Sequence, residues 1–399
     1  MLILIANVGS TSLKYKLFDM GTEEVLAVGK VERVGNPPSL FSHEAPGVSI
    51  RGKEVVAEDH TGAIKLMLDA LVDPAGGVIE DLAEIAGVGF KTVHARGVSG
   101  SCLLTEEVIG AMEEYESISP AHNPPYLAAI RIFQKLLPGK PLVGVFEMAF
   151  HQTMPPEAYL YGVPYEWWEK YGIRRYGFHG ASHRYVSERV RELFGPVRHL
   201  VSCHLGGSAS LCAIKDGRSI DTSMGFSPQA GILHSNRCGD VDPFILYYLV
   251  EKGHYTWAGA KEALVTNGGL KGLSGVSGDV RDIEGAAARG DERAAAALDV
   301  FCYGIKKYIG AYAAILGGLD VVAFTGGIGE NGIAIREKVL TGLEFLGIHI
   351  DKEKNQVRGQ EALISTPDSR VKVMVIPANE EIIVARETKK VLSELGSEQ

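Results

Sequence analysis

LILIANVGSTSLKYKLFDM, from Leu2 to Met20, and HLVSCHLGGSASLCAIKDGRSIDT, from His199 to Thr222, share one plan. In the first, Leu2–Ala6 is an apolar run and Asn7-Val8-Gly9-Ser10-Thr11-Ser12 is a small polar turn. Leu13, Tyr15 and Leu17 then alternate with Lys14 and Lys16, the period of a half-buried strand. In the second, His199–Cys203 leads into His204-Leu205-Gly206-Gly207-Ser208-Ala209-Ser210, and two further strand-like runs flank an Asp216-Gly217 turn. Two copies of strand, small polar turn and strand in one chain predict two related domains. A turn of Gly, Ser and Thr gathers backbone N–H groups and hydroxyls at one point, which suits phosphate. Two such turns predict one polyphosphate gripped from both sides.

A chain of 399 residues is long enough for two cores. The 46% hydrophobic and 22% charged content is that of a soluble globular protein. The net charge of −9 disfavours a nucleic-acid partner, which calls for a basic face. Cys102, Cys203, Cys212, Cys238 and Cys302 form no CxxC pair and read as reduced thiols of a cytoplasmic protein. No apolar run reaches the ~20 residues of a membrane span, and Met1 opens onto a strand without a basic leader.

Along the chain, strands are expected over 2–6, 13–18, 24–31, 87–93 and 142–146, with helices over 61–72, 106–117 and from the Pro124-Pro125 pair to Leu137. The aromatic, Pro- and Gly-rich stretch 151–180 reads as an ordered loop whose aromatics are buried. A helix is expected from Ser182, as N-cap, to Leu193. Further helices are expected over 243–252 and 291–316, then a strand at 321–324, a Gly-rich bend at 325–331 and a helix to about Leu346. A strand over 371–376 and a terminal helix complete the reading. The domains are expected at 1–149 plus 381–399, with the last helix returning, and at 150–380.

Several segments carry chemistry. Lys14 is a point charge beside the donors of the first turn, with Asn7, Ser10 and Ser12. Val321–Asn331 places strand, glycine bend and helix in succession, and Gly327 and Gly329 leave room for a ligand. It lacks the Lys-Ser/Thr of a Walker A loop. His179 sits between glycines, and Arg237 precedes the Gly239 turn, both suited to charge developing on a transferring phosphoryl group. Glu147 and Glu380 follow apolar runs, where a carboxylate suits Mg²⁺ through water or begins a helix.

These strings in this order resemble the acetate kinase family of the actin-like superfamily. The resemblance rests on Asn7-x-Gly9-Ser10-x-Ser12-Leu13-Lys14, HNPP at 122–125, AFHQTMP at 149–155 and YGIRRYGFHG at 171–180. DTSMGFSP at 221–228, RCGDVDP at 237–243, DVRDIE at 279–284, TGGIGEN at 325–331 and ANEE at 378–381 add to it. It implies an α/β fold of two actin-like (ribonuclease H-like) domains with the site in an interdomain cleft. It implies Asn7 and Glu380 as holders of Mg²⁺ or Mn²⁺. It places ATP or ADP among Ser10, Ser12, Lys14, His204, Leu205, Gly206, Gly207, Ser208, Asp279, Val280, Arg281, Gly327, Ile328, Gly329, Glu330 and Asn331. His179 and Arg237 would stabilise the phosphoryl group, His122 would orient it, and Glu147 would organise the metal or its water. The implied reaction moves phosphate reversibly from ATP to a short carboxylate, acetate first, giving an acyl phosphate in a homodimeric enzyme.

The acceptor side departs from the family. Lys91 stands where the family has Arg, and Ala95-Arg96 where it has Gly-Gly, so Arg96 is expected to supply a displaced guanidinium. Glu147 replaces Asp, and Gly207-Ser208 replaces Asn-Gly. Lys91, Val93 and Arg96 are the expected acceptor contacts. These changes keep two other readings open: a kinase for a different small carboxylate, and a nucleotide-binding regulatory protein without transfer.

Overall fold

The computed structural model describes residues 1–98, 100–116 and 123–397. The chain divides into two compact units, Met1–Ala149 with Asn379–Gln399, and Phe150–Ala378.

Unit one is built on strands β1 (Leu2–Gly9), β2 (Ser12–Asp19), β3 (Glu24–Glu32), β4 (Ser39–Ala45), β5 (Val48–Val55), β6 (Ile85–Thr92), β7 (Ser101–Leu103) and β8 (Leu142–Phe146). Their order across the sheet is β5-β4-β3-β2-β1-β6-β8-β7. β1 to β5 form an antiparallel meander, β1, β6 and β8 run parallel, and β7 lies antiparallel on the edge. The burial pattern follows the sequence. Leu13, Tyr15 and Leu17 of β2 are buried while Lys14 is exposed, and all of Leu142–Phe146 is buried. The terminal helix, Glu380–Ser397, packs on β6, β1 and β8. Gly89 makes that approach possible, because a Cβ there would collide with Thr388 Oγ1 and meet Ile5 Cδ1 at 2.9 Å.

Unit two repeats the plan. Strands β9 (His199–Leu205), β10 (Ala209–Lys215), β11 (Arg218–Thr222), β12 (Val321–Thr325), β13 (Ala362–Leu363) and β14 (Lys372–Val375) lie in the order β11-β10-β9-β12-β14-β13. β9, β10 and β11 are antiparallel, and β9, β12 and β14 are parallel. The series β11-β10-β9-β12-β14 therefore matches β3-β2-β1-β6-β8 strand for strand. The helix Glu292–Leu316 covers this sheet through Phe301, Ile305, Ile309 and Tyr312. Asp291 caps it by accepting the Arg293 and Ala294 N–H groups at 3.0 Å, and Gly317 ends it with φ 76°.

The structure differs from the sequence reading in definite ways. The expected loop from Asn7 to Ser12 is a tight hairpin: Asn7 pairs with Lys14 and Gly9 with Ser12, leaving only Ser10 and Thr11 in the turn. Ser182 is not an N-cap. Its helix spans Gly180–Phe194 with His179 before it, and Ser182 is buried against His204 at 2.8 Å. The stretch 151–180 holds short helices, and its aromatics are not all buried: Tyr165 is 57% and Tyr171 64% exposed on the helix Tyr165–Tyr171. TGGIGEN is helical from Gly326 to Asn331, and a separate helix runs Ile333–Leu340. β4, β5 and the helices Trp257–Val265, Gly269–Ser274 and Val280–Ala288 had no expectation.

Candidate active site

In unit one the chemistry gathers where β6 and β8 end beside the terminal helix. Lys91 on β6 sends its ammonium to Glu147 Oε1 at 2.8 Å and to Glu380 Oε2. Glu147 follows β8, held by its N–H donating to Thr92 O at 2.9 Å, and Glu380 opens the terminal helix. Burial opposes the charge on Lys91, but the two carboxylates overcome it and hold its pKa well above the ordinary lysine value. Beside them the Tyr126 hydroxyl donates to Asn7 Oδ1 at 3.0 Å. Burial pushes the Tyr126 pKa up, and Lys91, Glu147 and Glu380 all act on it, so Tyr126 belongs to this cluster.

Tyr126 is one residue of the site that sequence reasoning missed, although it directly follows the HNPP string. Arg96 takes a different position from the expected one. Its Nη1 donates to Glu114 at 2.9 Å, with 61% of its side chain exposed, because the bridge between Ala95 and Val98 turns the chain there. Val93 is buried. His122 lies outside the described residues.

The oxygen donors of Asn7, Glu147 and Glu380 fit Mg²⁺, which binds through one or two carboxylates together with waters and substrate phosphates. Among the described residues there is no cluster of three or more His, Cys, Asp or Glu suited to a metal by themselves.

Unit two contains a cavity of about 600 Å³, within the usual ligand-pocket size. Gly206 and Gly207 of the second turn line it, with Asp279, Val280 and Arg281, and with Gly327, Ile328 and Asn331. Three segments far apart in sequence are thus brought to one place. Asp279 caps the helix Val280–Ala288 by accepting the Arg281 N–H at 2.9 Å. Hydrogen bonds from Arg281 hold its pKa down at about 2. Gly326 has φ 77°, and a Cβ there would meet Leu205 O at 2.8 Å, so glycine is required where the Gly326–Asn331 helix meets the end of β9.

Leu205 is fully buried and does not line the cavity, and Glu330 Oε1 accepts the Ala378 N–H at 2.9 Å. Ser235, Asn236, Glu284 and Arg358 also line the cavity, and no motif announces Arg358. Beneath the helix Gly326–Asn331 lies Arg336, fully buried, which donates to Gly329 O, Glu330 O, Asn355 Oδ1, Asn355 O and Val357 O at 2.8–2.9 Å.

His179 and His204 stack with ring centroids 4.1 Å apart. His179 has φ 58°, a left-handed conformation that non-glycine residues seldom hold and that occurs where structure over-determines it. Arg237 donates from Nη1 to Pro228 O at 2.5 Å, and burial lowers its pKa to about 10.

The acetokinase family model matches residues 2–386. The chain belongs to the acetokinase family. Acetate kinase of Carboxydothermus hydrogenoformans is 50% identical over 97% of this chain and 98% of that protein. The crystal structure of Porphyromonas gingivalis acetate kinase matches at TM-score 0.88 and 44% identity, covering 98% of this chain and 99% of that one. A propionate kinase from Francisella tularensis matches at TM-score 0.88 and 33% identity, over 97% and 98%. As an acetokinase the chain is a phosphotransferase with a carboxyl group as acceptor and ATP/ADP as co-substrate, and its two α/β units are actin-like. Among the described residues no helix is long and apolar enough to cross a membrane.

Proposed function

We propose that this acetokinase transfers the γ-phosphoryl group of ATP to acetate, reversibly. A carboxylate oxygen forms the new bond to phosphorus as the bond to the β,γ-bridging oxygen breaks, giving acetyl phosphate and ADP. The observation that carries this reading is the union of the 204–208, 279–281 and 327–331 segments around one cavity of nucleotide size. Acetate as acceptor is supported by relatives named acetate kinase at about half identity over nearly the whole chain.

In unit two, Gly206, Gly207, Asp279–Arg281 and Gly327–Asn331 would receive the nucleotide. Ser208 lies in the same turn, and His204 is near the end of β9 just before it. Arg237 and His179 would meet the equatorial oxygens, where preformed donors give most of their benefit in the transition state. In unit one, Asn7, Ser10, Ser12 and Lys14 lie on or beside the β1–β2 hairpin, and Lys14 is exposed and ready for phosphate. Asn7 and Glu380 would hold Mg²⁺ or Mn²⁺, with Glu147 ordering its water. The bound ion would neutralise charge on the phosphate oxygens. Lys91 serves both Glu147 and Glu380 here, so it positions those carboxylates and offers a point charge, not a fork, to the acceptor. His122 would orient the phosphoryl group.

We further propose a cytoplasmic homodimer. The five cysteines are free thiols. The helix Phe244–Glu251, FILYYLVE, buries none of its residues, with Phe244 74% and Tyr248 57% exposed. An exposed apolar face of that kind suits a second copy of the chain. Sedimentation of Tyr248→Glu should shift toward monomer, and an unchanged dimer would place the contact elsewhere. Formation of ATP from ADP and acetyl phosphate, read by luciferase, tests the activity; no ATP from active-site-intact protein would overturn it.

A further inference from the structure

Behind His179 lies a file of buried side chains. His179 Nδ1 is 2.8 Å from Ser210 Oγ. The same oxygen is 2.9 Å from His183 Nε2, and His183 Nδ1 is 2.9 Å from Ser202 Oγ. Ser202, His183 and Ser210 are 0% exposed. The file is a product of the fold: Ser202 is on β9, Ser210 on β10, and His183 lies one helical turn beyond His179.

We propose that Ser202, His183 and Ser210 are positioning residues that hold His179 in the tautomer with its proton on Nε2. The use of that proton in phosphoryl transfer rests on the reading of His179 given above; the proton order itself does not.

The order follows from counting donors. Each serine hydroxyl has one proton to give, and a neutral imidazole has one donor and one acceptor. Burial keeps His183 neutral, its pKa well below the ordinary histidine value, with His151 and His204 acting in the same direction. Only two orders then satisfy the file. In the first, Ser202 donates to His183 Nδ1, His183 Nε2–H donates to Ser210, and Ser210 donates to His179 Nδ1. In the second every bond reverses and Ser202 becomes an acceptor.

The second order strands the proton of Ser202. Its bond to His183 is the one hydrogen bond that its side chain makes among the described residues, at a position sealed from solvent. A buried donor with no acceptor is costly, so the first order prevails. His179 then accepts at Nδ1, and a neutral ring must carry its proton on Nε2. The His204 ring stacked 4.1 Å away at 25° also disfavours a charged pair. The outcome is a neutral donor fixed before substrate arrives, with no tautomer change needed during transfer.

The full chain labelled with ¹⁵N-histidine tests this by long-range proton–nitrogen correlation spectra. The wild-type spectrum should show His179 protonated at Nε2 and bare at Nδ1. Ser202→Ala should give mixed tautomers at His183 and His179. Ser210→Ala should give mixed tautomers at His179 and lower kcat by about 10- to 100-fold, the usual effect of losing an orienting partner, with KM for ATP unchanged. Ser210→Thr should restore both. A wild-type His179 protonated at Nδ1, or a His179 spectrum unmoved by Ser210→Ala, overturns the proposal. If Ser210→Ala fails to fold, the wild-type and Ser202→Ala spectra decide. The expected spectrum together with full turnover in His179→Ala would support the proton order and overturn the catalytic reading of His179.

Discussion

Lys91 Nζ stands 2.8 Å from Glu147 Oε1, and the same ammonium is bonded to Glu380. One cation is therefore shared by two carboxylates, each less than a fifth exposed. Removing one partner from a buried ionic cluster leaves charge without compensation. Lys91→Met should cost about 3–5 kcal/mol of stability, read as a lower urea midpoint. Lys91→Arg keeps the charge and should recover most of it. A Lys91→Met midpoint equal to wild type would mean that the carboxylates do not depend on this lysine.

Arg237 is expected to act in transfer and not in nucleotide binding. Arg237→Ala should lower turnover by about 10²–10³-fold, as loss of one transition-state donor does. Its ATP affinity, measured by calorimetry, should stay near wild type. Equal losses in both would make Arg237 a binding residue.

Arg336 ties the end of the Gly326–Asn331 helix to Asn355 and Val357 through the carbonyls it serves. Arg336→Met leaves those carbonyls buried without donors and should destabilise the chain by about 3 kcal/mol. Arg336→Lys cannot reproduce the fork, so it should weaken ATP binding while retaining the charge. Thermal unfolding and ATP titration of the pair separate the two effects.

Acid should unfold this protein through its buried histidines. Burial lowers the pKa of His94 and of His151 to about 4 and, with Arg237 adding to it, that of His234 to about 3. The unfolded chain takes up these protons near pH 6.5, while the folded chain takes them up only near those lower values. Between these limits the unfolded state binds more protons, so stability falls as pH falls. At pH 5 each such histidine should cost roughly 2 kcal/mol relative to neutral pH. Urea midpoints should drop steadily from pH 7 to pH 5; a flat profile would mean that these imidazoles reach solvent in the folded state.

The repeat of strand, polar turn and strand made the duplicated fold legible, because alternation in Leu13–Leu17 and unbroken apolar runs such as Val321–Phe324 are local signals. Residues of the DVRDIE and TGGIGEN strings line one cavity of unit two, and DVRDIE was tied to a ligand only by the family resemblance, not by a local signal. β4 and β5 escaped notice because their burial is intermittent and their sequences carry Gly, Lys and Glu at strand positions. Ser182 looked like an N-cap, but tertiary contact with His204 claims its hydroxyl. Arg96 looked like a replacement guanidinium until the surface pair with Glu114 accounted for it. Tyr126, Arg336 and the Ser202–His183–Ser210 file act through partners distant in sequence, which no local pattern encodes.

Trapping the acyl phosphate as its hydroxamate tests the central claim most directly, using ATP, Mg²⁺ and a panel of formate, acetate, propionate and butyrate. The account expects product from acetate that requires both ATP and Mg²⁺, with kcat/KM higher for acetate than for the other acids. ATP binding with no hydroxamate from any acid would contradict it.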